Sequence, residues 1–162
     1  MATVDDLLFA LTFVAALGCG LMAGLFFAFS VSVMKALARL PAAEGIAAMQ
    51  SINVAILNRL FGAAFFGTAA ACVLVVISSL WRWHAPIAVY LLVGGATYLV
   101  GSLLVTLLFN VPKNETLASV APSDPDSASL WANYLASWTA WNHIRAAAAL
   151  AGAAALTIAL CY

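Results

Sequence analysis

Leu60-Phe-Gly-Ala-Ala-Phe-Phe-Gly-Thr-Ala-Ala-Ala-Cys-Val-Leu-Val-Val-Ile-Ser-Ser-Leu80 carries no charged side chain over its whole length. As an α-helix it spans about 30 Å, the thickness of a bilayer's hydrocarbon core. Three further stretches read the same way: residues 7–34, 86–109 and 138–162. The first is longer than a span needs, so it should tilt or project from the bilayer. Composition agrees, with 66% of the 162 residues hydrophobic and only 7% charged. A soluble domain has about 25% charged residues. The chain therefore reads as one domain, residues 1–162, and its expected fold is an all-α, integral membrane four-helix bundle. Its expected location is the cytoplasmic membrane of a bacterium, crossed several times, with membrane lipid as its surroundings.

The N-terminal stretch reads as a retained helix rather than a cleaved signal, because Asp5 and Asp6 stand where a signal has basic residues. Six basic and six acidic side chains balance, so no basic patch points to nucleic acid. Cys19, Cys72 and Cys161 match no metal or redox spacing, and small apolar filler is their plainer reading.

The connections are unequal. Residues 81–85 form a short turn. In residues 35–59, Pro41 breaks the chain, and Ile46, Met49, Asn53, Ile56 and Leu60 then recur at helical spacing. In residues 110–137, a Pro112-interrupted turn leads to the loop Ala121–Ser129, and a helix from about Ser127 to Ser137 should run straight into the last span. The short helices in both long connections are expected to lie at the membrane interface. Lys35, Arg39, Arg59, Lys113 and Arg145 fall on the long-connection side, which the positive-inside rule makes cytoplasmic.

Small residues recur every four positions at Ala16, Gly20, Gly24, Ala28 and Ser32, and again at Ala63, Gly67 and Ala71. They read as packing surfaces for a tight bundle, with a homo-oligomer through such faces as a further expectation.

Polar residues gather at one membrane face: Asn53, Asn58, Asn110, Asn114, Asn142, His143 and Arg145. Trp131, Tyr134, Trp138, Trp141, Asn142 and Arg145 are spaced by three or four, so they form one stripe. Flat aromatics ending in an amide and a guanidinium suit a planar, partly anionic small molecule. Arg145 is the sharpest clue, because a charge inside an apolar run normally faces the bundle interior. Glu44 or Glu115 could reach it from the connections; snorkelling to the interface is the competing reading. The asparagines could equally cap helices, and a single interfacial His143 could simply be solvated. No metal site, P-loop or dinucleotide motif stands out, and no cofactor is expected.

Gly20-Leu-Met-Ala-Gly-Leu-Phe-Phe-Ala-Phe-Ser30, Met49-Gln-Ser-Ile-Asn53 with Asn58, Phe109-Asn-Val-Pro-Lys-Asn114 and Trp138-Thr-Ala-Trp-Asn-His-Ile-Arg145 occur in this order. Together they resemble the anthrone oxygenase-like family of small four-helix membrane proteins. Lys35 departs from that pattern, where a neutral residue, often proline, is expected. The resemblance implies a cofactor-independent monooxygenase acting with oxygen on a planar phenolic, anthrone- or quinone-type substrate. In that reading Arg145 and Asn142 stabilise the oxyanion, and His143 is the default base because it titrates near neutrality. Trp138 and Trp141 stack the rings, and Asn53, Asn58, Asn110 and Asn114 orient the substrate. The alternative is a non-enzymatic lipid- or quinone-binding protein or assembly subunit. A small transporter ranks last, because no inverted repeat is visible.

Overall fold

The computed structural model of the chain describes residues 3–124 and 126–162. Five helices account for most of it: α1 Val4–Leu37, α2 Ala42–Ile56, α3 Arg59–Trp81, α4 Ile87–Ala118 and α5 Ser127–Ala159. Among the described residues there is no strand. Helix α1 starts on a capping box: the Thr3 hydroxyl accepts from the Asp6 N–H at 3.2 Å, and the Asp6 carboxylate accepts from the Thr3 N–H at 2.8 Å.

The four long helices close into a ring, with α1 packed on α3 and α5, and α4 packed on the same two. Their shared core is Cys19, Met22, Phe26, Phe65, Cys72, Leu91, Tyr98 and Leu156 with several alanines. The ring's outer surface is apolar on all four helices, through residues such as Leu17, Phe66, Val93 and Leu150. Exposed apolar surface on every side suits lipid rather than water. Helices α1, α3 and α4 are long and apolar enough to cross a membrane. Helix α5 has the length but is outside that group, because Asn142, His143 and Arg145 lower its hydropathy and alanine contributes little. The sequence and the structure thus agree on a helical membrane-type bundle, while the fourth crossing remains a proposal.

One end of the bundle holds the chain's simple features. An ion pair of 2.6 Å joins Arg82 to Asp5, and Tyr90 stacks on Tyr162 at 5.4 Å between ring centroids. The start of α1, the turn at residues 82–86 and the end of α5 therefore sit together. The other end holds α2, the tail of α4 and the first turns of α5, sealed by Met34, Leu37, Ile46, Met49, Leu117, Trp131, Tyr134 and Trp138. Gln50 ties α2 down by donating to the carbonyls of Leu117 and Val120 at 2.8 and 3.0 Å.

Three expectations are corrected. Helix α4 does not stop at Phe109: it runs through Pro112 to Ala118. The reason is local. The backbone widens into π turns at Leu99–Leu104 and Thr106–Asn110, and the Val111 N–H reaches back five residues to the Thr106 carbonyl. Proline removes an N–H and crowds the carbonyl four residues earlier; a wider turn immediately before it relieves both problems. Helix α1 likewise runs past Met34 to Leu37, through a π turn at Phe29–Val33. Finally, the small-residue stripes mostly face outward. Gly20, Gly24 and Gly67 have nothing within 4 Å of where a Cβ would stand. The close helix approaches use Gly18, Gly94, Gly95 and Gly152 instead. The predicted helix from Ser127 is present and continuous with α5, as the sequence suggested, and the loop before it occupies residues 119–126, of which Pro125 lies outside the described residues.

Candidate functional site

Four polar side chains of α4 and its tail stand four residues apart: Ser102, Thr106 and Asn110, all buried, and then Asn114, half-buried. In a regular α-helix such a row drifts by about 40° at each step. The π turns are wider and rotate less per residue, so they cancel the drift and keep the row turned to α5. Facing it, the α5 stripe presents Tyr134, Trp138, Asn142 and Arg145, all buried.

Arg145 is 7% exposed. Its Nε donates to Asn142 Oδ1 at 2.7 Å and its Nη1 to Thr106 Oγ1 at 3.3 Å. The Phe26 ring lies 4.1 Å from the guanidinium carbon and the Trp138 ring 4.9 Å, distances at which an aromatic face attracts a cation. Among the described residues no carboxylate reaches it; the ion pair there is Arg82–Asp5. Glu44 and Glu115 are exposed and do not supply the partner. A guanidinium has five N–H groups, so three of them have no protein acceptor. Arg145 does not snorkel out.

Asn142 is fully buried, and both ends of its amide are engaged. Its amide nitrogen donates to the Phe26 carbonyl at 2.6 Å and to the Ser30 hydroxyl, while its oxygen accepts from Arg145. It holds the guanidinium in place, and both of its amide hydrogens are committed to protein acceptors. Asn114 is oriented similarly. Its Oδ1 accepts from Trp138 Nε1 at 2.7 Å and from the Tyr134 hydroxyl at 2.9 Å, so its nitrogen turns the other way. Burial pushes the Tyr134 phenol up, well above physiological pH, so it remains a donor.

These groups line a pocket of about 90 Å³ between α1, α2, α4 and α5, which includes Phe26, Phe29, Asn53, Thr106, Asn114, Trp138 and Arg145. Ile56, Leu57 and Phe61 lie where α2 passes into α3. The Asn53 amide nitrogen is buried without a partner. Arg145 thus brings to the chamber wall three N–H groups without a protein acceptor, and Asn53 and Asn114 add side-chain amides to it.

The structure brings together Arg145, Trp138, Asn53 and Asn114 in this pocket, with Asn142 immediately behind. It does not bring in the others. Asn110 is buried beside it, donating to the Trp138 carbonyl at 3.2 Å. Asn58 is exposed and caps α3, accepting from the Phe61 N–H at 3.0 Å. Trp141 stacks on Phe109 at 3.7 Å instead of lining the chamber. His143 is exposed and faces grooves on the outside of the bundle, because it sits about 100° around the helix from Asn142. Sequence reasoning missed Thr106, Phe26 and Ser30. Thr106 was within reach, being one member of the row Thr106, Asn110, Asn114. Phe26 and Ser30 lie within the quoted stretch Gly20–Ser30, but neither residue's spacing ties it to the Trp138–Arg145 stripe.

Among the described residues no group of three or more His, Cys, Asp or Glu side chains gathers to hold a metal. A family model described as anthrone oxygenase matches residues 55–155, which include Asn114, Trp138, Asn142 and Arg145 but not Phe26, Ser30 or Asn53. No curated protein and no solved structure matches the chain.

Proposed function

The chain belongs to the anthrone oxygenase family, and from that premise we propose that it oxidises a planar anthrone-like or phenolic substrate with O2 in the chamber around Arg145. The observation that carries this reading is a buried guanidinium with three free N–H groups and no carboxylate. In an anthrone the methylene opposite the carbonyl is activated, and loss of one proton gives an enolate. Arg145 donates charge-assisted hydrogen bonds to that enolate oxygen. The Asn53 and Asn114 amides hold further ring oxygens, and Phe29 and Trp138 flank the rings. A cation beside the oxygen lowers its pKa, so the proton can pass to water at the mouth. None of the lining side chains is a histidine, carboxylate or thiol, and His143 takes no part. The enolate then gives one electron to O2. The carbon radical and superoxide combine into a peroxide anion, which takes back one proton from water at the mouth, and the resulting hydroperoxide loses water to leave the second carbonyl. One O2 is consumed for each quinone and each water formed. In this proposal the protein supplies position, charge and dryness, with no cofactor.

The chamber has room for about six waters, less than a fused three-ring ligand, so its mouth widens as substrate enters. The absence of a side-chain base from the wall favours the second reading, a protein that binds a quinone-type molecule without converting it. Oxygen uptake and quinone absorbance with an anthrone separate the two. Wild-type protein in micelles should consume O2, Arg145→Gln should be at least tenfold slower, and His143→Ala should match wild type. Tight binding without O2 uptake would establish the second reading, and full activity in Arg145→Gln would remove Arg145 from the site.

A further inference from the structure

Cys19 on α1 and Cys72 on α3 stand 53 residues apart, yet their sulfurs lie 3.8 Å from each other. Both side chains are fully buried. The position a Cβ would take at Gly152 of α5 is 3.7 Å from the Cys19 sulfur, and that at Gly95 of α4 is 2.9 Å from the Cys72 carbonyl oxygen. With glycine backbone behind each cysteine, no bulky side chain separates the two thiols. Neither thiol lines the Arg145 chamber, so the chemistry proposed above leaves the pair unused.

The geometry points to a redox-active dithiol: Cys19 and Cys72 are a modification site that closes to an intramolecular disulfide linking α1 to α3. The oxidant is hydrogen peroxide, a small neutral molecule that can enter an apolar bundle. One thiol attacks peroxide, giving a sulfenic acid and water. The other thiol displaces hydroxide from that sulfur, forming the S–S bond and a second water. Two thiols lose two hydrogens and two electrons, and one peroxide becomes two waters. A lone buried cysteine would stop at the sulfenic acid or go on to higher oxides; the neighbour at 3.8 Å diverts it. This inference does not depend on the reaction in the Arg145 chamber.

The test uses the full chain in micelles with Cys161→Ser, which removes the exposed thiol and with it any cross-link between copies. Protein is treated with hydrogen peroxide, unfolded, alkylated with a maleimide and weighed intact. The expected product has lost two hydrogens, takes no maleimide, and takes two after reduction with a phosphine. A cross-linked peptide pair containing Cys19 and Cys72 should appear on digestion. Cys19→Ala should instead give oxygen adducts on Cys72 or full alkylation there. Two maleimides on treated protein, or oxygen adducts on both cysteines without loss of hydrogen, would overturn the proposal.

Discussion

Replacing Asn142 with alanine removes three buried hydrogen bonds at once. Two are donated by its amide, to the Phe26 carbonyl and the Ser30 hydroxyl, and one is accepted from Arg145 Nε. The bond to the guanidinium contributes about 2 kcal/mol, as bonds to charged groups do. Bonds between neutral groups inside membrane bundles contribute about 0.6 kcal/mol each. The total is about 3 kcal/mol, or roughly a hundredfold in the folded-to-unfolded ratio. Ser30→Ala removes one neutral bond and should cost under about 1 kcal/mol. Equilibrium unfolding in mixed micelles, followed by tryptophan fluorescence, measures both. The substrate KM of Asn142→Ala should also rise, because Arg145 loses the amide that fixes it. If Asn142→Ala cost no more than Ser30→Ala, the view that Asn142 anchors Arg145 would be refuted.

Gly94→Ala places a methyl 2.6 Å from Leu156 Cγ and 3.2 Å from the Gly152 carbonyl oxygen, and should destabilise the bundle by about 1–3 kcal/mol in the same unfolding assay. Gly24→Ala meets nothing within 4 Å and should be neutral or stabilising by up to about 1 kcal/mol; a loss there would show that a second copy covers this face. Gly45→Ala brings a methyl within 2.8 Å of the Trp131 indole, so α2 should exchange its amides faster than wild type while α3 stays protected, read by hydrogen exchange. The Asp6 carboxyl is held below its ordinary 3.8 by hydrogen bonds from Thr3. Its capping contribution is therefore complete above the ordinary value and is lost as pH falls through the lowered one, so acid titration by NMR should fray residues 4–7 only below pH 3.8.

The helices were legible because lipid asks one thing of a sequence, a long apolar run, and such runs show directly. The Trp138–Arg145 stripe was legible because a helix repeats every 3.6 residues. Beyond that, the reading depended on assumptions about regular geometry. The Gly20–Gly24 spacing predicts a packing face, but glycine spacing names a smooth surface without saying which neighbour meets it. Pro112 reads as a stop in sequence, and only the backbone shows that π turns carry α4 through it. Cys19 and Cys72 meet through tertiary structure alone, since nothing in a separation of 53 residues announces a contact. Asn58 and Asn53 look alike in sequence. One caps α3, while the other turns an unpaired nitrogen inward, a difference set by the break between α2 and α3.

The three π turns and the buried charge belong to one arrangement. A guanidinium withdrawn from water needs compensation, and here it comes from dispersed, neutral sources: one amide, one hydroxyl and two aromatic faces. Asn142 reaches Arg145 from one turn earlier on the same regular helix, and Thr106 reaches it from the π-widened stretch of α4. The π turn in α1 begins at Phe29, just after Phe26, whose carbonyl accepts from Asn142. The π turns in α4 keep Thr106 and Asn110 turned to α5. A carboxylate in place of Asn142 or Thr106 would neutralise the charge more simply, but it would also occupy the N–H groups that face the chamber. Neutral partners fix the guanidinium's position and leave its charge for a ligand. That division fits a site whose ligand carries its negative charge inside the pocket, and it is the physical reason to look for an enolate there before a neutral lipid.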